Sequence, residues 1–357
     1  MHRRILVTGG AGFAGSALCV RLKQEFPDVS VTALDNLKRR GSERNVELLK
    51  RHGIEFVHGD IRSRGDLEAV TSRPDLLIEC SAEPSAQAGY GGSPDYLVNT
   101  NLTGCFHCLD MARQWGSDFL FLSTSRVYPY GLLNSLTYTE EPTRFELTTD
   151  QPVTGASPAG VSESFPLNGP KSLYGMTKLA SELMVEEFAD AYGFRFLINR
   201  FGVLTGPGQW GKSDQGVIAF WVASHLYQRP LRYIGFGGTG KQVRDFLHID
   251  DFCDLLIDQL RNFDSYQGRC WNAGGGRENS VSLLETTELC RQITGNTPAV
   301  TASDSDRTAD VRIYLTDTAA IRAVRGWAPK RDAVTTMSDI ARWMTEGGDE
   351  VRRTLGF

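Results

Sequence analysis

Apolar residues in the N-terminal third of the chain fall into short runs separated by polar, glycine-bearing stretches. RILVT (4–8), VSVTALD (29–35), IEFVHGDI (54–61), DLLIECSA (75–82) and DFLFLST (118–124) are the clearest. Each is nearly continuous rather than alternating, the pattern of a strand covered on both faces of a parallel sheet. The stretches between them carry helical spacing. Strand and helix repeated at this length predict an α/β fold built on a doubly wound parallel sheet. Such sheets bind ligands outside the carboxyl ends of their strands, which makes the residues at those ends the first candidates for function.

The first run leads directly into GGAGFAGSALCVRLKQ, in which Gly9, Gly12 and Gly15 recur every third residue and a helix follows at once. Glycines there allow a tight turn, close approach of a pyrophosphate and close helix–strand packing, with the phosphate charge resting on the helix N-terminus. The spacing is G-x-x-G-x-x-G, a modified form of the usual dinucleotide fingerprint. Asp35 closes the second run about twenty residues on, where a carboxylate meets ribose hydroxyls and repels a 2′-phosphate. NAD is therefore expected over NADP, although Lys38, Arg39 and Arg40 follow directly and a basic cluster can also hold a 2′-phosphate. Asp60 and Ile61 end the third run, placed for an adenine edge, and Ala82 ends the fourth, where a small residue lets the cofactor pass.

The fifth run ends in Ser123, Thr124 and Ser125. Hydroxyls at a strand end can bond a reacting oxygen, or simply cap the turn that follows. Further along, SLYGMTKLASELM places Tyr174 and Lys178 four residues apart on a helix, with Cβ atoms about 5–6 Å apart on one face. An ammonium so placed favours phenolate over phenol. A tyrosine tuned in this way can take the proton of an alcohol as hydride leaves the same carbon.

Taken together, TGGAGFAG, the LDN strand end, GDI, STSRVY, SLYGMTK and RDFLHIDD resemble the extended short-chain dehydrogenases/reductases, in their nucleotide-sugar epimerase group. The resemblance implies a Rossmann-type sheet domain with a smaller α/β substrate-binding lobe, and Thr124, Tyr174 and Lys178 as the catalytic set. It further implies cofactor contacts from Phe13, Ala14, Asn36, Asn101 and Ser123, alongside the strand-end residues, Tyr174 and Lys178. Dehydratases of the group carry Asp-Glu after the threonine and decarboxylases a Glu. Ser125-Arg126 stand here, so water elimination is disfavoured. Arg200 is followed by Phe201-Gly202-Val203, without the Asn of the UDP-sugar 4-epimerases. NRFGVLTGPGQWGKSDQG, FGGTGKQVRDFLHIDD and the long insertion before SLYG are similar to the CDP-sugar 2-epimerases of the group. The implied reaction is epimerisation at C2 of a CDP-sugar through a transient keto sugar; a 4-epimerase or an NAD(P)H-dependent reductase is the alternative. Substrate contacts are implied for Ser125, Arg126, Gln209, Lys212, Arg244 and Arg307. The two lobe arginines suit a diphosphate because a guanidinium fork is bidentate.

The expected division is residues 1–202 plus 241–270 for the NAD-binding domain and 203–240 plus 271–357 for the substrate lobe. With 357 residues there is ample chain for both. A net charge of −5 offers no attraction for nucleic acid. No apolar run of about 18 residues and no leader pattern is visible, which excludes a helical membrane span and leads to the expectation of a soluble, cytoplasmic protein. Seven cysteines fit reduced thiols. Cys105 and Cys108 form a C-x-x-C on a predicted helix with no second pair, which reads as packed helix face, and no metal-ligand cluster is apparent. By resemblance the helices near 100–115 and 174–192 pair subunits into a homodimer or homotetramer.

Overall fold

A computed structural model describes residues 2–211, 215–303 and 305–357. The chain forms two compact units, one of Met1–Thr124, Leu173–Arg200 and Phe252–Trp271, the other of Ser125–Ser172, Phe201–Asp251 and Asn272–Phe357.

The first unit is built on a seven-stranded sheet. Its strands are β1 (Arg4–Thr8), β2 (Ser30–Asp35), β3 (Glu55–His58), β4 (Leu76–Glu79), β5 (Asp118–Thr124), β6 (Phe196–Phe201) and β7 (Arg269–Ala273), in the order β7-β6-β5-β4-β1-β2-β3. Pairings of β1 with β2 and β4, of β2 with β3, and of β4 with β5 are all parallel. The strand order reverses between β1 and β4, so the carboxyl ends there flank the switch point at which doubly wound sheets take their ligands. Helices α1 (Phe13–Glu25), α2 (Ser42–Arg51), α3 (Gly104–Trp115) and α4 (Leu173–Tyr192) connect the strands. Leu6, Leu77, Phe119, Phe121 and Ile198 from the sheet close a core with Cys105, Cys108, Leu109 and Val185 from α3 and α4. Both C-x-x-C thiols thus lie inside the core, as free cysteines.

The second unit holds a smaller sheet in which Val243–His248 pairs with Val203–Thr205, Ser280–Ser282 and Ile313–Tyr314. A separate core of Ile218, Trp221, Val222, Met337, Ile340 and Met344 joins its helices. The unit boundary differs from the expected one in two places. Residues 125–172, expected in the nucleotide domain, cluster with the lobe because their short strands are tied there. The Phe145 and Val161 N–H groups donate to Lys241 O and Leu315 O, and Arg144 reaches Ser280 and Glu285. Residues 241–251 also belong to the lobe. After residue 251 the chain returns to the large sheet through Phe252–Trp271.

Asp245, within Val243–His248, is fully buried, and burial raises its carboxyl to about 6 against hydrogen bonds from Thr316 and the Gly276 N–H. The folded protein therefore binds this proton more tightly than the unfolded chain, whose ordinary value is 3.8. The associated stability is present at low pH and is lost as pH rises from about 4 through about 6. Asp245→Asn is expected to remove this slope, changing the wild-type-minus-variant unfolding free energy by roughly 2 kcal/mol between pH 4 and 7. Urea unfolding across that range measures it. Parallel pH curves for the two proteins would count against a proton held at Asp245.

Candidate active site

The loop between β1 and α1 is shaped by its glycines. Gly9 has φ +63°, and a Cβ there would stand 2.9 Å from the Cys80 and Ser81 backbone; one at Gly15 would stand 2.2 Å from Gly9 O. Side chains are thus excluded from the inside of the turn, which leaves a cradle of bare backbone. Helix α1 starts from Gly12 with no acidic residue in its first turn, so its positive end is uncompensated, as a phosphate requires. Phe13 and Ala14 form that first turn and are half-buried. Asp35 closes β2 with Oδ2 accepting the Ala11 N–H at 3.1 Å and Oδ1 the Leu37 N–H at 2.8 Å. Burial raises its pKa, opposed by these N–H groups. Asn36 donates to Asp60 at 2.9 Å. Burial of Asp60 is outweighed by hydrogen bonds from Arg62 and Asn36 and by the Arg62 charge, which bring its carboxyl down to about 2. Ile61 is buried and Ala82 half-buried. Of the basic cluster after Asp35, Lys38 lies over the Tyr96 ring at 4.8 Å. The cradle, the bare helix end and the carboxylate at the end of β2 fit a dinucleotide.

Helix α4 carries Tyr174, Lys178 and Glu182 at successive four-residue steps, all buried. It packs along β5. The Lys178 ammonium stands 4.0 Å from the centre of the Phe121 ring, and the Ser123 hydroxyl donates to Glu182. Glu182 also takes a two-pronged ion pair from Arg200 of β6, at 3.0 Å from Nε and 2.7 Å from Nη2. The register of α4 is therefore fixed by a buried clamp to two strands. Thr124, the last residue of β5, is buried. Burial works against the Lys178 charge, but the Glu79 carboxylate leads the opposing influences and the ammonium pKa is raised. Asn101 has its amide spent inside the fold: Oδ1 accepts from the Glu83 N–H, and Nδ2 donates to Glu83 O and Thr177 Oγ1. It ties the segment after β4 to α4.

In the second unit a solvent-open cleft with ≈ 430 Å³ of empty space is lined by Ser125, Arg126, Tyr128, Tyr130, Leu133, Ser172, Val203, Arg244, Ala309, Val311 and Tyr314. Two guanidinium groups, several hydroxyls and no carboxylate line it, which suits an anionic, hydroxyl-rich ligand. Arg126 donates to Ala309 O at 3.2 Å. Arg244 is held by Asp310 at 3.0 Å and by the carbonyls of Val243 and Val311; burial lowers its pKa to about 10, so it remains charged. Gln209 is turned into its own loop, accepting from Thr205 Oγ1 and donating to Leu204 O, and does not line the cleft. Arg307 is half-buried beside Ala309 and also lies outside the lining. Lys212 falls outside the described residues.

Sequence reasoning missed Glu79 and Glu182. Glu182 had a signal, since it extends the Tyr174–Lys178 spacing by one more turn. Glu79 had only the oddity of an acid in an apolar run.

A glycine cradle at the switch point and a buried Tyr–Lys pair against β5 fit a dinucleotide-dependent enzyme. Residues 5–274 match the model of the NAD dependent epimerase/dehydratase family. The chain belongs to that family, in agreement with the resemblance read from its motifs, and its cofactor is NAD. It is 30% identical over 346 residues to CDP-paratose 2-epimerase of Salmonella typhi, covering 94% of this chain and 98% of the relative. It is 29% identical to a putative UDP-glucose 4-epimerase of Methanocaldococcus jannaschii, covering 95% and 98%. The UDP-glucose 4-epimerase of Thermus thermophilus, solved with NAD, superposes with a TM-score of 0.76 at 23% identity, covering 96% of this chain and 99% of that one. The last likeness establishes the fold. Among the described residues no helix is long and apolar enough to cross a membrane.

Proposed function

We propose that this enzyme is an isomerase that epimerises a nucleotide-activated sugar, a CDP-deoxyhexose at C2. The observation that carries the reading is the pairing of an intact Thr124, Tyr174 and Lys178 set with Ser125 and Arg126 in the positions after Thr124. No acid stands there to drive elimination. The likeness to CDP-paratose 2-epimerase supports C2 and the cytidine nucleotide.

In this reading Arg244 and Arg126 bind the anionic part of the substrate, and Thr124 bonds the reacting oxygen. Tyr174 takes the hydroxyl proton as the carbon gives up hydride, and returns it in the second half-reaction. Lys178 stabilises the phenolate that takes the proton in the first half-reaction and re-forms in the second. Bound NAD supplies the hydride acceptor and the donor that restores it, so no net redox occurs. Gly9, Gly12, Gly15, Asp35 and Asp60 hold it through both halves. Asn101 and Ser123 act by fixing the site walls.

The test is to incubate the purified protein, without added NAD, with CDP-paratose or CDP-tyvelose and follow their interconversion chromatographically. No conversion of these or of other nucleotide hexoses sinks the proposal. The UDP-glucose 4-epimerase relatives favour a second reading at C4, and conversion confined to C4 epimers would select it. Stoichiometric change at 340 nm would instead mark a net reductase. Exposed Met176 and Leu183, seven residues apart on one side of α4, offer an apolar strip suited to a second copy of the chain, consistent with a homodimer. Free cysteines suit a cytoplasmic setting.

A further inference from the structure

We propose that Glu79 is a positioning residue of this site: its buried carboxylate is the countercharge that keeps the Lys178 side chain protonated on the face shared with Tyr174. The inference rests on the catalytic reading of Tyr174 and Lys178. Glu79 is the last residue of β4 and is 1% exposed, and Lys178 is 2% exposed. Their charged atoms stand 3.5 Å apart. Burial raises the Glu79 pKa, opposed first by the Lys178 charge and then by hydrogen bonds from Lys178 and the Ser81 N–H. Other buried acids nearby are committed elsewhere, Glu182 to Arg200 and Ser123, and Asp35 to backbone N–H groups. A carboxylate placed at the end of an apolar strand is costly unless a cation answers it. Here the cation is the catalytic lysine.

The titratable groups facing this pair are Tyr174, Cys80, Cys105 and Cys108. Burial first, then the Glu79 charge, pushes the three thiols upward, Cys105 to about 12. They are therefore neutral and cannot replace Glu79 as countercharge. Burial on its own would push the Lys178 pKa down, and a neutral amine would give the Tyr174 phenolate no stabilisation. Glu79 thus acts on the proton transfer through Lys178, without touching the sugar.

The experiment follows the Lys178 Nζ signal by ¹⁵N NMR in lysine-labelled full-length protein as pH rises. The signal is assigned by its loss in Lys178→Met. The pH profile of kcat is measured alongside, on whichever nucleotide sugar the wild type turns over. In wild type the Lys178 midpoint is expected above its ordinary 10.5. Glu79→Gln is expected to move the midpoint down by about 1–3 units, and to bring the alkaline loss of kcat down with it. Glu79→Asp keeps the charge one methylene further back and should fall between the two. It also serves as the test if the Gln variant does not fold. An unchanged Lys178 midpoint, or a kcat lowered equally at every pH, overturns the proposal. A wild type that converts no nucleotide sugar is instead a failure of the functional reading, and the Lys178 midpoint still decides the charge pairing.

Discussion

Tyr174→Phe is expected to lower kcat by about 10²–10⁴-fold, the usual contribution of a positioned general acid–base group. The substitution removes one oxygen and keeps the ring. Tyr174 is 9% exposed, so its apolar burial on α4 is retained and the fold should be undisturbed. The cradle between β1 and α1 is untouched, so NAD retained through purification should stay at wild-type stoichiometry. Initial rates of epimer interconversion, with NAD released by acid and quantified for both proteins, separate these effects. A variant within tenfold of wild type would remove Tyr174 from the proton path. A variant that has lost NAD as well would mean that the phenol serves binding rather than chemistry.

Arg200→Met is expected to give the largest loss of stability, about 3–5 kcal/mol, because it leaves the Glu182 carboxylate buried without its cation. Both partners are almost fully buried, and the fork is two-pronged, so no solvent replaces what is removed. The loss should be read by urea unfolding at neutral pH. Adding Glu182→Met to the same chain should recover much of it, since an apolar pair carries no stranded charge. If the single variant costs under about 1 kcal/mol, the range of an exposed pair, then the clamp on α4 is not what holds the helix in register. Because Tyr174 and Lys178 ride on that helix, the single variant should also lose turnover beyond what unfolding explains.

Much of the large sheet was legible because strands covered on both faces have little choice of residue. Their apolar runs gave β1, β2, β4 and β5, and the polar residues that broke those runs marked the ligand end. Tyr174 and Lys178 were legible through helical spacing. Glu182 carried that same spacing, but the burial of Glu79 and Glu182 was not legible, because an acid in a sequence reads as solvated until its partner is known. Lys178 and Arg200 come from other elements of the fold. The membership of 125–172 was hidden for a related reason. Its strands are only two or three residues long, too short to show a period. Its ties to Ser280, Glu285 and Leu315 join parts of the chain that no local pattern connects. Gln209 was implied as a substrate contact by resemblance alone, and its amide bridges its own loop.

The division of the chain also bears on descent. Tyr174, Lys178, Thr124 and the glycine cradle belong to one compact unit, while every residue lining the arginine-bearing cleft belongs to the other. On the proposed function, a lineage can recut the cleft by drift or insertion without touching inherited electron and proton traffic. On that reading, kinship in the first unit is a poor guide to diet, and newly arisen substrate tastes are to be sought as changes in the second.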